Sequence, residues 1–304
     1  MSEPVSKGPK SAFVAIVGRP SAGKSTLLNA MCGHKVAIIS RVPQTTRNRI
    51  RGIVNRDAGQ LIFIDTPGFH ESTRAFNQHM RGLIKESIRD SELLLYVVDA
   101  SRAPGDEELA LIDTVSRHDT LPRIVALNKV DVAKPKILDQ ARILLGQRLP
   151  DVPIVEISAL KERGIDDLLE ALFALAPEGE AVYPEDFYTD QPPEFRVSEI
   201  IREKAMEGLR EELPHSIYVE VADMEVRERE EGGEQLWIRA FIFVERSSQQ
   251  GMIVGVGGAG IKRIRQSAQK EIASLFPHRI HLDIRVKVDP KWRRNEHLLA
   301  KLVQ

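Results

Sequence analysis

The sequence predicts an α/β domain, with a mixed, mostly parallel sheet and helices on both faces, followed by a smaller α+β domain. Three observations lead there. From Ala12 to about Ala176, short apolar runs alternate with helical patterns, as they do where parallel strands are joined by helical crossovers. The stretch Pro177 to Pro193, with its acids, prolines and tyrosines, shows neither period and reads as a linker. Beyond it an amphipathic pattern gives way to strand period on either side of Glu231-Gly232-Gly233, a hairpin turn signal. A chain of 304 residues is long for one core and comfortable for two.

In order, residues 1–11 carry no periodic pattern and are expected to be disordered, and residues 12–176 form the first domain. Its strands are Phe13 to Val17, Leu61 to Ile64, Leu93 to Val98, Ile124 to Leu127 and Ile154 to Ile157. After the linker, 177–193, the second domain occupies 194–304. A helix over Ser198 to Glu212 precedes strands at Ile217 to Val226 and Gln235 to Val244. A glycine-rich segment at 250–260, a basic helix at 261–275, a strand at 279–288 and a polar tail helix complete it. There is no internal repeat and no low-complexity tract.

Charge narrows the function classes. Lys and Arg stand against Asp and Glu as 24 to 23 over residues 1–180, 8 to 17 over 181–250, and 11 to 4 over 251–304. Positive charge therefore collects at the C-terminal end, the footprint of a polyanion-binding face. The single cysteine, Cys32, excludes an intramolecular disulfide and fits a reducing compartment. Met1 to Lys10 has no apolar core of a signal peptide, and Leu93 to Val98 is far shorter than the ~20 residues of a bilayer span. A soluble, cytoplasmic protein is expected.

Gly18, Arg19, Pro20, Ser21, Ala22, Gly23, Lys24 and Ser25 spell G-x-x-x-x-G-K-[ST] between an apolar strand and a helical pattern, and together with Thr26 they are the expected phosphate-binding residues. Glycines there let backbone N–H groups turn toward phosphate oxygens. The helix N-terminus adds positive potential, Lys24 a point charge, and Ser25 a hydroxyl ligand for Mg²⁺. A second strand leads into Asp65, Thr66, Pro67, Gly68 and Phe69. Asp65 then emerges at the strand's carboxyl end, where it can hold Mg²⁺ through water, and Gly68 offers an N–H to a γ-phosphate.

Asn128-Lys129-Val130-Asp131 selects the base. A carboxylate at Asp131 accepts from the ring N1–H and the 2-amino group of guanine, and adenine offers neither donor there. Ser158, Ala159 and Leu160, after the next strand, supply a backbone N–H for the guanine oxygen and a lid on the base. Together these read as a P-loop G domain that binds GTP or GDP. Between the phosphate loop and Asp65, the segment Gln44, Thr45, Thr46, Arg47 offers the threonine that completes the Mg²⁺ shell, either Thr45 or Thr46, unless the two simply begin a strand over Ile50 to Val54. No glutamine follows Gly68. Phe69 and His70 stand in its place, so the sequence names no catalytic base and predicts slow turnover, ~10⁻⁴ to 10⁻² s⁻¹ without an activator.

The second domain holds Gly255, Val256, Gly257, Gly258 and Gly260. Gly255, Gly257 and Gly260 satisfy a dinucleotide fingerprint, with Asp283 at the distance of a ribose contact, but too few residues follow Gly260 to build the strands and helices that such a fold needs. The other parse is a G-x-x-G turn between two helices, with Lys262, Arg263 and Arg265 opening the second and Ile253, Val254 and Ile261 walling an apolar groove. Such a turn clamps the backbone of unpaired RNA.

These strings resemble the Era family of bacterial ribosome-assembly GTPases. The resemblance runs from about Phe13 to the C-terminus and covers Gly18 to Thr26, Gln44 to Arg47, Asp65 to His70, Leu94 to Asp99, Asn128 to Asp131, Ser158-Ala159, Glu211 to Tyr218 and Gln250 to Lys287. It implies a G domain followed by a type II KH domain that binds the 3′ end of 16S rRNA and assists 30S subunit maturation. It also implies loose peripheral association with the inner membrane, which nothing in the sequence shows independently; a monomer is expected. Two positions depart from the family pattern. Relatives usually carry Asn and Val at Ser21 and Ala22, and since that asparagine is a cation ligand in potassium-activated GTPases, K⁺ dependence does not carry over. Relatives also tend to place a lysine or arginine inside the G-x-x-G turn, where this chain has Val256-Gly257. The leading reading is a GTP-hydrolysing switch that controls how the RNA face is presented, and two rivals stand beside it: a constitutive RNA-binding chaperone with a structural G domain, and another translation- or tRNA-modifying GTPase.

Overall fold

The computed structural model describes residues 8–39, 50–65, 86–207, 217–229 and 232–290. They form two compact units that divide between Asp190 and Gln191, with Ile38 and Ile39 belonging to the second.

The first unit is built on a six-stranded sheet in the order β2-β3-β1-β4-β5-β6. Its strands are β1 (Lys10–Gly18), β2 (Ile50–Arg56), β3 (Gly59–Asp65), β4 (Leu93–Asp99), β5 (Arg123–Asn128) and β6 (Ile154–Glu156). All neighbours pair in parallel except β2, which runs antiparallel to β3. Among the described residues it also carries helices α1 (Lys24–Cys32), α2 (Asp106–Ser116), α3 (Pro135–Arg148) and α4 (Ile165–Leu175). Covered on both faces, β4 is buried at every position, which is why Leu-Leu-Leu-Tyr-Val-Val reads as a continuous apolar run. Leu94, Tyr96 and Val98 meet α2 and α3, where Leu111, Ile112, Val115, Ala141 and Leu145 are buried. At the carboxyl ends of these parallel strands stand Gly18, Asp65, Asp99 and Asn128, the edge at which open α/β sheets bind ligands.

The segment expected as a linker is bonded to the first unit up to Asp190. Ile53 N–H donates to Tyr188 C=O at 3.0 Å, Gln60 Nε2 to Tyr183 C=O at 2.8 Å, and Arg51 pairs with Asp190 at 2.6 Å. Its prolines and acids hid this, because it holds the sheet edge by isolated bonds rather than by a periodic element. At the other end β1 begins at Lys10, inside the stretch expected to be disordered.

The second unit contains α5 (Pro193–Glu207), β7 (Tyr218–Glu228), β8 (Glu234–Val244), α6 (Ser247–Val254), α7 (Ala259–Ile272) and β9 (Arg279–Val288). Its sheet runs β7-β8-β9, antiparallel then parallel. This αββααβ order is the type II KH arrangement anticipated above. Along β8, burial alternates strictly: Leu236, Ile238, Ala240, Ile242 and Val244 lie in the core, and their neighbours face outward. The core takes Val197, Ile201 and Ala205 from α5, Ile253 from α6 and Ile264, Ala268 and Ile272 from α7. Ile38 joins it, and Ile39 N–H donates to Glu203 Oε1 at 2.8 Å. The first helix begins at Pro193 rather than Ser198, and the basic helix at Ala259 rather than 261; the tail helix lies outside the described residues. Among those residues no helix is long and apolar enough to cross a membrane.

Candidate functional site

The phosphate loop leaves β1 at Gly18 and enters α1 at Lys24. Its shape is set by left-handed backbone at Ser21 (φ 63) and Gly23 (φ 97). A Cβ on Gly23 would lie 2.4 Å from Asn128 Nδ2, so only glycine lets the guanine-reading loop close onto the phosphate loop. Lys24, 6% exposed, donates to Gly18 C=O at 3.1 Å and Arg19 C=O at 3.2 Å. Burial lowers its pKa to about 8, against the opposing pull of Asp65 and Glu108. A cation held in so dry a place is matched to a polyanion. Ser25 Oγ donates to Asp65 Oδ2 at 2.7 Å, which brings one hydroxyl and one buried carboxylate side by side at the start of α1.

Asn128 joins the segments. Its Nδ2 donates to Ala22 C=O at 2.9 Å, and its Oδ1 accepts from the N–H groups of Lys129 (2.8 Å) and Ala159 (3.0 Å). Of the backbone N–H groups in the segment expected to supply one to the guanine oxygen, that of Ala159 is thus directed to the asparagine. Lys129, itself left-handed at φ 66, extends over the loop and bonds Ser21 C=O and Asp99 Oδ2, each at 2.7 Å. Asp131 Oδ1 accepts from Ser158 Oγ at 2.7 Å, so the base-selecting carboxylate is oriented by the next motif along the chain. Leu160, 76% exposed, is an uncovered apolar side chain beside this pair, as a base lid must be.

Three participants escaped the sequence reading. Asp99, at the carboxyl end of β4, anchors Lys129 and accepts from Ser101 N–H at 3.0 Å; its strand-end position was the available signal. Glu107 and Glu108 hold Arg19 of the phosphate loop at 3.3 and 3.4 Å. Behind them Tyr96 O–H donates to Glu108 Oε1. Burial lifts the Glu108 carboxyl above its usual range, with the Tyr96 and Arg19 contacts acting in the opposite sense. Nothing in Glu107-Glu108 as a pair of helix-opening acids marked them for this role. Gln44, Thr45, Thr46 and Arg47, and Thr66, Pro67, Gly68, Phe69 and His70, lie outside the described residues.

In the second unit α6 ends at Val254 and α7 begins at Ala259, with Val256 to Gly258 forming a single 3₁₀ turn between them. Gly260 is where the helices touch: a Cβ there would lie 2.4 Å from Ile253 C=O. The glycines therefore serve a close helix crossing, and Asp283 pairs with Arg285 at 3.2 Å on β9, so the dinucleotide parse fails on geometry as well. Val256 is 97% exposed, and Lys262, Arg263 and Arg265 are exposed on α7. Ile253 is a correction. At 1% exposure it is a core residue with no surface to offer a base; Val254 and Ile261 remain half-buried beside the turn.

A family model described as 50S ribosome-binding GTPase matches residues 13–129, and a KH domain model matches 212–293. The chain is similar to the GTPase Era of Treponema denticola, 45% identical over 295 residues, 96% of this chain and 99% of that one. The chain belongs to the Era family of GTPases. Era of Borreliella burgdorferi is likewise 45% identical over 97% of this chain and 99% of its own. Two solved Era structures each superpose with a TM-score of 0.90 at 34% identity over 97% of this chain and 100% of theirs. One is a point variant of Aquifex aeolicus Era bound to GDP and AlF4⁻; the other is Era with MgGDPNP and nucleotides 1506–1542 of 16S ribosomal RNA. Era proteins are GTPases, and the P-loop G domain and KH domain described above are those of this family.

Proposed function

We propose that this chain is a GTP-hydrolysing switch that binds the 3′ end of 16S rRNA through its KH domain and assists 30S subunit assembly and rRNA maturation. The observation that carries it is the bonding around Asn128, which fastens the phosphate loop to both guanine-reading segments in a chain that also presents a G-x-x-G turn leading into a basic helix.

The chain's own groups divide the work. Lys24 sits buried at the mouth of the loop to pair with phosphate oxygens, and the α1 N-terminus presents its backbone donors beside it. Asp131, oriented by Ser158, reads the base edge. Lys129 holds the loop at Ser21. Mg²⁺ fits the donor set, since Ser25 Oγ and Asp65 Oδ2 are adjacent hard oxygens 2.7 Å apart; Ser25 would ligate it directly and Asp65 through water, with Thr45 or Thr46 the expected third group. When bound, the metal neutralises charge on the transferring phosphoryl group. Ser21 in place of the family's asparagine removes one K⁺ ligand, so turnover is proposed to be independent of potassium. The protein is proposed to act in the cytoplasm as a monomer, with weak peripheral membrane contact resting on family resemblance alone.

The test is anisotropy of a labelled single-stranded RNA carrying the 3′-terminal 16S sequence, with a scrambled control, in GTP analogue and in GDP. Tighter, sequence-selective binding in the GTP analogue is expected. Equal affinity in both nucleotides and in none would leave a constitutive RNA chaperone as the better reading, as would undetectable GTP turnover with and without ribosomal RNA.

A further inference from the structure

We infer that the face of the KH sheet turned away from α7 is a second RNA-binding surface, which takes unpaired bases on the aromatic side chains of β8 and their phosphates on the cations of β9. The inference rests on the RNA-binding reading of this domain but not on the G-x-x-G turn.

It starts from the C-terminal charge excess, which the turn does not absorb. Of the 11 basic residues beyond Gln250, four lie on α7, namely Lys262, Arg263, Arg265 and Lys270, and three on β9, namely Arg279, Arg285 and Lys287; the other four lie outside the described residues. The two described groups sit on different sides of the sheet. Helix α7 packs against the face that carries Ile238, Ala240 and Ile242. On β9 the alternation buries Ile280, Leu282 and Ile284 on that same face and turns Arg279, His281, Arg285 and Lys287 to the other.

On this other face β8 presents Trp237, Phe241 and Phe243, each half-buried in a strand whose intervening residues are core. The register places His281 beside Trp237, Arg285 beside Phe241 and Lys287 beside Phe243. The Trp237 and His281 rings are within 6° of parallel, and Tyr218 from β7 stacks on Phe243 with centroids 5.7 Å apart. The result is an aromatic ridge with cations laid over its rings, Arg227 at 3.7 Å and Arg239 at 4.6 Å from the Trp237 centroid; these are the two components of a platform for single strands, π-faces worth ~1–3 kcal/mol per stacked base and cations for the backbone.

The state of the cations favours this occupant. Lys287 Nζ lies 3.4 Å from the Phe241 centroid, and among the described residues no carboxylate pairs with it. A cation–π contact at an exposed site is worth about 0.5–1 kcal/mol, less than a phosphate oxygen gives a cation, so a phosphate can draw Lys287 off the ring and open its face to a base. Acids gather on the far rim, where Glu220, Asp223 and Glu225 of β7 would confine a polyanion to the β8–β9 half. Asp283 lies within that half, but Arg239 and Arg285 flank it at 3.8 and 3.2 Å.

The experiment uses the full chain with Trp292→Phe, which leaves Trp237 as the only tryptophan, and two uridine-rich RNAs. One is about 8 nucleotides long, sized to a single groove, and one about 24. The longer RNA should quench Trp237 emission, and quenching should persist when Val256→Asp and Gly257→Asp disable the turn. Arg285→Glu with Lys287→Glu, both at exposed positions, should weaken the longer RNA about tenfold and abolish quenching while leaving the 8-mer unchanged. Circular dichroism checks that the sheet is intact. A protein that binds neither RNA overturns both this inference and the reading beneath it. One that binds the 8-mer, yet shows no Trp237 quenching by the longer RNA, overturns this inference alone. Unchanged RNA affinity in the double reversal with loss of binding to 30S subunits would overturn it in favour of a protein partner.

Discussion

Asn128→Ala is expected to weaken the first domain even when no nucleotide is present. The asparagine is 2% exposed and makes three hydrogen bonds, to Ala22 C=O and from the N–H groups of Lys129 and Ala159. Each such bond contributes about 1 kcal/mol net, and removing the side chain leaves three backbone groups without that partner. The expected loss is therefore roughly 3 kcal/mol, or about 6–12 °C in the midpoint of a domain of this size. Guanine nucleotide affinity should fall on the order of 100-fold as the same ties fail. Thermal unfolding of the nucleotide-free full chain, followed by titration with a fluorescent GDP, reads both. Asp131→Ala is the control, because Ser158 Oγ is the contact that it loses within the site and its stability cost should be about a third as large. If Asn128→Ala loses nucleotide affinity with an unfolding midpoint within about 1 °C of the parent, the asparagine acts on the ligand alone and its role as a tie between loops is refuted.

Asp131→Asn should move preference from guanosine toward xanthosine nucleotides, since an amide can pair with the carbonyl that xanthine carries where guanine has an amino group; competition between GDP and XDP decides, and an unchanged preference sinks the assignment. Glu108→Gln should gain stability relative to the parent as pH rises. Burial raises the folded carboxyl's pKa above its unfolded value, so its stabilisation is complete below the unfolded pKa and is lost as pH climbs through the folded one, whereas glutamine does not titrate. Urea unfolding at about pH 5 and about pH 7.5 would show the gap between variant and parent widen in the variant's favour, and a gap independent of pH refutes it. Cys32, its thiol pushed up to about 12 by burial, should resist alkylation at about pH 8 in the folded chain and react on unfolding; fast modification of native protein would show that the site is open.

The sequence made the nucleotide site legible because its parts are short strings at fixed places, each following an apolar strand whose carboxyl end must deliver it to one edge of the sheet. Asp65, Asn128 and Gly18 follow from that rule. The ties among them did not. Lys129 reaching Ser21 and Asp99, or Arg19 held by Glu107 and Glu108, join residues separated by tens to about a hundred positions, and no local period encodes such a meeting. Ile253 was misplaced for a related reason. An apolar residue beside a glycine turn reads equally as groove or core, and the Gly260 crossing that buries it becomes apparent only once the two helices touch. The stretch 177–190 misled through composition, since prolines and acids mark absence of period and not absence of bonds.

The two departures from the family pattern sit in turns whose backbone does not depend on the residue that is missing. Ser21 holds φ 63, a region that asparagine visits more readily than serine does. Here Lys129 Nζ compensates by binding the Ser21 carbonyl at 2.7 Å, so the loop keeps its form and gives up only a side-chain ligand. In the G-x-x-G turn, Gly257 supplies the left-handed φ of 59 and Val256 stands 97% exposed, so the chain turns without a cation in it. Attraction for an RNA backbone must then come from beyond the turn, from Lys262, Arg263 and Arg265 on one side of the sheet and from Arg279, Arg285 and Lys287 on the other. A turn that positions without attracting, beside two faces that attract, distributes the electrostatic part of RNA binding over the domain; one charge absent from Val256 or Gly257 then lowers the salt slope by about one unit and leaves the greater part of the affinity in place.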